Sequence, residues 1–418
     1  KYIESMSIAA PVALLASLLM SSQPAGPSKV QLVQQGEKFT LMRNGQPYFI
    51  KGAGAPMEKL VELEKLGANS VRTWGMDDNS KFFLDEAHRQ GITVTLGFWM
   101  RKEDGFKYTD PKMLAEQEAE LRGWVRKYKN HPALLVWAVG NEQELGTEWP
   151  EVFIQTERLI RAVKEEDPGR PVMTVVADMW PEKMENLLKH VPSVDLLGVN
   201  SYGGLPTVHE RMKPFKKPYV VTEFAFSLPD KDEARPWAGH IEPSSTEKAK
   251  SAETNYKNSI LAFPGRVLGS YYFYWGLSSV GTASVHSTHL QTGESLAVVD
   301  VMHRMWTGKQ PANRAPEIRN VLPSAPFKAA PGSAIKLDAK GFDADGHNVY
   351  LKFEILGNDP KKRFVGDFEQ RLASFGEGPL WQPVTVKAPN EPGLYRILIV
   401  GRDGHGGGAT HTISFVVE

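Results

Sequence analysis

The sequence predicts an α/β chain: a (β/α)8 barrel followed by a small all-β sandwich. Eight short runs rich in Val, Leu and aromatic residues recur between Pro47 and Trp275. They show little strict alternation, as expected of strands buried on both faces of a parallel sheet. Amphipathic stretches lie between them, and from residue 318 the pattern changes to short alternating runs with glycine-rich turns. Eight β/α units in about 260 residues fit a closed barrel. A doubly wound sheet is less apt, because the GAGAP after the first run lacks the dinucleotide-binding spacing and meets Pro56 at once.

Taken in order, residues 1–28 read as a signal-peptide-like segment. An apolar run from Ile8 to Met20 is too short to span a bilayer and is followed by small and polar residues. Export to a periplasm or beyond is therefore expected, with no integral membrane segment in the mature chain. The barrel is assigned to 38–309. Its strands fall in 47–55, 70–75, 92–100, 134–142, 172–178, 195–202, 219–224 and 267–275. The helices between them close on Gly67 and Gly91, where a left-handed residue ends a helix, or open on Pro111, Pro150 and Pro181, which the first turn tolerates. A linker (310–317) leads to the sandwich (318–418).

Composition narrows the function. Forty-nine basic and 49 acidic side chains cancel, which argues against a nucleic-acid partner. Cysteine is absent, excluding disulfides, thiolate nucleophiles and a lipoprotein anchor. No spaced histidine pair of the HExxH kind occurs, so neither a catalytic metal nor a cofactor is expected.

The chemistry sits where the runs end, since barrel enzymes build their sites at the C-terminal ends of the strands. Run four ends in Glu142 and run seven in Glu223. Closing the barrel brings these acids to one mouth, with tryptophans of runs two, three and eight around them. Two carboxyls flanking a cleft are what glycosidic cleavage needs: one gives a proton to the leaving oxygen, the other attacks as an anion. Aromatic faces suit a neutral sugar.

NHPALLVWAVGNE (130–142) resembles the acid/base strand of clan A glycoside hydrolases, especially the family-two β-galactosidase and β-glucuronidase group. LGANSVRTWG (66–75), LLGVNSYGG (196–204), KPYVVTEFA (217–225) and YYFYWG (271–276) resemble that group's second, sixth, seventh and eighth strands. The barrel is also similar to those of the β-1,3-glucanosyltransferases. The resemblance implies Glu142 as general acid/base, Glu223 as nucleophile and Asn141 on the sugar 2-hydroxyl. It places Arg72 and Tyr202 beside Glu223, holding it ionised with a lowered pKa, and Trp275 as the platform of the cleaved sugar. Trp74, Trp99 and Trp237 are further candidate sugar contacts. Glu144 and Asp178 read as solvated loop acids.

The group's N-terminal jelly-roll and sandwich domains have no counterpart ahead of residue 40, so exo action is not expected. The substrate expected is an oligo- or polysaccharide: a neutral, β-1,3-linked β-glucan attacked internally, with transglycosylation. A β-galactosidase or β-mannanase of the same clan, or a non-catalytic glycan-binding envelope protein, is the alternative. The DADG turn and the late RDGHGG hairpin resemble immunoglobulin-like modules of the PKD or cadherin group, and Asp343, Asp345 and Asp403 could hold a structural Ca²⁺.

Overall fold

The computed structural model describes residues 26–102, 105–147, 149–226, 241–278, 284–357, 371–375 and 383–418. The apolar run 8–20 and Trp237 lie outside them. The chain opens with β1 (Val30–Gln35), β2 (Lys38–Arg43) and β3 (Gln46–Pro47), a small antiparallel sheet that the sequence reading left unassigned. Its signal was the Asn44-Gly45 pair, both residues left-handed, at the β2–β3 turn.

All eight expected barrel strands form: β4 (Ile50–Gly54), β5 (Ser70–Arg72), β6 (Thr93–Phe98), β7 (Leu134–Asn141), β8 (Val172–Ala177), β9 (Leu196–Asn200), β10 (Tyr219–Phe224) and β11 (Val267–Tyr272). They are parallel, and β11 closes the barrel against β4. Around them run α1 (Leu60–Lys65), α2 (Ser80–Arg89), α3 (Pro111–Tyr128), α4 (Glu151–Glu166), α5 (Pro181–His190), α6 (Leu205–Arg211), α7 (Ser245–Asn255) and α8 (Ala297–Thr307). Asp110 caps α3 by accepting from the backbone N–H groups of Lys112 and Met113, and Ser244 with Glu247 forms a capping box at α7.

The apolar runs lack alternation because each strand packs on two cores. Along β7, Leu134, Trp137 and Val139 join the layer under the helices, while Leu135, Val136 and Ala138 fill the barrel interior. That interior cluster continues into Val30, Phe39 and Leu41, so the first hairpin plugs the barrel end opposite the strand C-termini. Farther along the lumen Tyr271 donates to or accepts from Ser70 (2.8 Å) and Thr95 (2.6 Å). Gly52 leaves room for its ring, which a Cβ there would meet at 2.7 Å.

Just before α8 lies β12 (Ser295–Leu296), and after the helix come β13 (Glu317–Leu322), β14 (Phe327–Ala329), β15 (Ala334–Phe342), β16 (Tyr350–Gly357), β17 (Arg371–Phe375), β18 (Val384–Lys387), β19 (Gly393–Arg402) and β20 (Gly407–Val417). Sheets β12-β20-β19-β16-β17 and β13-β15-β18 share one core, in which Ile318, Leu337, Phe353, Ile397 and Phe415 meet. This module is knitted to the barrel. Strand β12, from the loop after β11, pairs with β20, and Leu290 and Leu296 pack on Leu356, Leu398 and Val400. Beside this seam Glu242, ahead of α7, accepts from Lys248 (2.7 Å) and from Arg396 of β19 (2.8 Å), all three buried.

A buried carboxylate shared by two cations holds the seam by charge as well as by apolar contact. Glu242→Leu removes the anion and leaves both cations inside. Urea denaturation should show a loss of about 3–5 kcal/mol; a loss under about 1 kcal/mol would mean that the triad contributes little to docking.

Candidate active site

The parallel strands bring every C-terminal end to one mouth, and two local backbone features aim the acids into it. At the end of β7, Gly140 takes φ +80° and Glu142 φ +51°. The other left-handed non-glycine residues among the described ones are Asn44, Asp178 and Asn320, types that tolerate this region. A glutamate held there is strained, and such strain gathers at functional sites. A Cβ on Gly140 would lie 2.3 Å from the Gln143 side chain, so glycine is required before the bend. Glu223, next to last in β10, is in register with Asn200 of β9.

Arg72, at the end of β5 and 1% exposed, organises the site. Its Nη1 donates to Glu223 Oε1 (3.1 Å), Asn200 Oδ1 (3.1 Å) and the Thr222 carbonyl (2.9 Å), and its Nη2 donates to Asn141 Oδ1 (2.8 Å). A guanidinium only donates, so these contacts fix the amides. Asn200 must present its Nδ2 to Asn141 Oδ1 (3.1 Å) and Glu142 Oε1 (2.9 Å). Asn141 then has its oxygen occupied twice, and its Nδ2 has no protein partner among the described residues. Asn200, with Arg72, links the two acids; the sequence pattern assigns it no role.

Glu223 accepts two further hydrogen bonds, from Trp74 Nε1 to Oε1 (2.7 Å) and from the Tyr202 hydroxyl to Oε2 (2.7 Å). Burial pushes its pKa up, the nearby Glu142 charge adds to that, and Arg72, Trp74 and Tyr202 pull the other way. The lowered pKa expected from Arg72 alone is thus corrected: at 6% exposure, loss of hydration outweighs one guanidinium. Burial likewise lifts the Tyr202 phenol far above its ordinary range, so Tyr202 remains a donor.

The aromatic assignments divide. Trp74 touches Glu223 through its indole N–H and lies on the Arg72 guanidinium (5.1 Å), so it braces the anion. Trp275 is not the platform. The chain leaves the strand after Tyr272, and Trp275 becomes fully buried with Nε1 on Glu62 Oε1 (3.0 Å) and its ring 5.3 Å from Trp306. Phe273, half-buried, packs edge-on against Trp74 (5.9 Å) and Tyr202 (6.0 Å), the two rings that hold Glu223. Trp99 is 38% exposed at the rim, with Lys102 Nζ 5.6 Å from its ring and 3.1 Å from the Glu142 carbonyl. Nor is Glu144 a solvated acid. It is 3% exposed, pairs with the equally buried Lys183 (2.7 Å), and is pushed up in pKa by that burial. Asp178 pairs with Arg211.

Residues 52–230 match the glycosyl hydrolases family 2, TIM barrel domain. A β-glucuronidase of Sus scrofa is 29% identical over 177 residues, 38% of this chain and 26% of that protein. A β-galactosidase of Vibrio cholerae is 26% identical over 176 residues, 38% of this chain and 16% of that protein. This chain therefore spans about a quarter or less of the length of these curated relatives. Among solved structures, Bacteroides uniformis β-glucuronidase 2, covalently bound to cyclophellitol-6-carboxylate aziridine, superposes with a TM-score of 0.51 at 15% identity. The match covers 93% of this chain and 48% of that one, a likeness of fold.

Arg72→Met keeps the bulk of the side chain but leaves Glu223 buried without its cation and both amides without their fixed donor. Breaking a buried pair in this way should lower unfolding stability by about 3–5 kcal/mol. Equilibrium denaturation measures it, and an unchanged midpoint would show that Arg72 is dispensable to the site.

Proposed function

We propose that this chain, which carries a glycosyl hydrolase family 2 barrel over residues 52–230, is a retaining β-glycoside hydrolase. One observation supports this above all: two acids at one barrel mouth are joined through Arg72 and Asn200 yet held differently. Glu223 is buried and takes three directed hydrogen bonds, while Glu142 is half-buried at a left-handed backbone position. In this reading Glu223 attacks the anomeric carbon as Glu142 protonates the leaving oxygen. Glu142 then takes a proton from the water or sugar hydroxyl that releases the product. Trp74 and Tyr202 keep the attacking carboxylate in line. Asn141, its oxygen locked by Arg72, offers its Nδ2 to the sugar 2-hydroxyl, a contact that strengthens as charge develops on the ring.

For substrate, a neutral β-glucan, β-1,3-linked and cleaved internally with transfer to a sugar acceptor, is the finer reading. It rests on the balanced charge of the chain and on exposed Trp99 and Trp180 along the rim. Sugars stacked on such platforms favour an acceptor over water. A second reading is a β-glycoside of a uronic acid. Lys102 puts a cation beside the Glu142 carbonyl, and the similar proteins include β-glucuronidases. Export remains part of the proposal on the strength of residues 8–20.

The test is a screen on aryl β-glucosides, β-galactosides, β-mannosides and β-glucuronides and on laminari-oligosaccharides. Turnover should fall at least about 1,000-fold in both Glu142→Gln and Glu223→Gln. The first product should keep the β configuration by proton NMR. Glycan binding that survives both substitutions, with no turnover in the parent protein, would instead mark a binding protein; an inverted product would remove Glu223 as nucleophile.

The raised pKa of Glu223 gives a further expectation. Attack requires its anion, so kcat/KM should rise with pH through an acid limb set by the coupled pair. That limb should lie above the ordinary glutamate value of about 4.3. A limb below that value would mean that burial does not govern Glu223.

A further inference from the structure

The geometry points to a divalent metal site of the zinc class at the end of the β-module that meets the barrel, built from Asp343, His347 and Asp403. We infer that it binds a first-row transition ion through two carboxylates and one imidazole. Asp343 follows β15, His347 closes the turn after it, and Asp403 follows β19. One ligand atom from each lies within 4.8 Å of the others, the spread that ligands on opposite sides of one ion 2.0–2.4 Å away would reach.

Clustered acids alone would not carry this. Asp343 does, because of how it is buried. Its side chain is 0% exposed. Its Oδ1 accepts from the backbone N–H groups of Asp345 (2.7 Å) and His347 (3.2 Å), but its Oδ2 is buried with no hydrogen-bond partner. His347 Nδ1, 3.6 Å from Asp343 Oδ1, is also without a hydrogen bond. An orphaned carboxylate oxygen in the interior is expensive, and one cation answers both orphans. Asp403 Oδ1 is taken by the N–H groups of His405 (2.6 Å) and Gly407 (2.9 Å), which fixes the carboxylate in place. Asn313 Nδ2 donates to its Oδ2 (2.7 Å), while the Asn313 oxygen, also buried, has no partner. His405 stacks on His347 at 3.8 Å and holds that ring in plane.

The ligand set decides the ion. Ca²⁺ takes oxygen ligands, and the expected third carboxylate is not there: Asp345 is bound by Arg314 through its backbone N–H, Nε and Nη2. An imidazole in its place suits zinc or its neighbours. Two carboxylates neutralise the charge of the ion, and the turn after β15 and the β19–β20 hairpin would be clamped together.

The full-length chain, treated with chelator and dialysed, is titrated with Zn²⁺ and separately with Ca²⁺, with bound metal measured by elemental analysis and thermal unfolding followed in parallel. The expected result is one equivalent of Zn²⁺, a rise of several degrees in Tm, and little effect of Ca²⁺. Asp343→Asn, near-isosteric, and His347→Gln, partly exposed, should each weaken zinc binding at least tenfold while circular dichroism stays unchanged. No zinc uptake, uptake equal in Asp343→Asn, or Ca²⁺ binding that survives His347→Gln would overturn the assignment.

Discussion

The site depends on one buried cation. Arg72 lies inside the mouth with its charge shared among Glu223, two asparagine oxygens and a main-chain carbonyl. Since it cannot accept, it dictates the sense of the hydrogen bonds that follow, from Asn200 Nδ2 to Asn141 and from Asn200 Nδ2 to Glu142. The orientation of both acids is therefore set before any sugar arrives. Such preorganisation is the principal means by which a polar site stabilises developing charge. It also explains why Glu223 can be so deeply placed: a buried anion is tolerable only when paired and fully hydrogen-bonded.

The rest of the fold supports this point. Parallel strands closed into a ring deliver residues from β5, β7, β9 and β10 to one mouth, and the hairpin at the opposite end seals the lumen. A left-handed Glu142 requires a rigid surround; buried Gln143, bonded to Thr174 (3.0 Å), and the Glu144–Lys183 pair follow it at once. The β-module is a structural neighbour of the barrel. Strand β12 passes from the loop after β11 into its sheet, so disturbance of the module would reach the aromatic wall formed by Phe273 and His286, whose rings lie 5.7 Å apart.

Much of this was legible in the sequence. Strand ends carrying Arg72, Glu142, Tyr202 and Glu223 could be read because an apolar run that stops at a polar residue marks both the strand and its mouth-facing end. Asn200 was passed over because its role exists only in three dimensions, as a bridge between residues 58 and 128 positions away along the chain. Trp275 was misplaced because YYFYW offers five aromatics in a row, and no periodicity says where the chain bends out of the strand. The pKa of Glu223 was misjudged for a related reason. Sequence shows the neighbouring arginine but not the depth at which the pair sits. Asp345 was grouped with the other turn acids because Arg314, its partner, lies 31 residues earlier.

The central claim, that Glu223 is the group that bonds to sugar, is tested most directly by trapping. An activated fluoroglycoside slows release of the glycosyl-enzyme more than its formation, and peptide mapping by mass spectrometry then locates the adduct. The account predicts one added sugar, on Glu223, and none on protein carrying Glu223→Gln. An adduct on Glu142, or inhibitor turnover with inversion and no adduct, would contradict it.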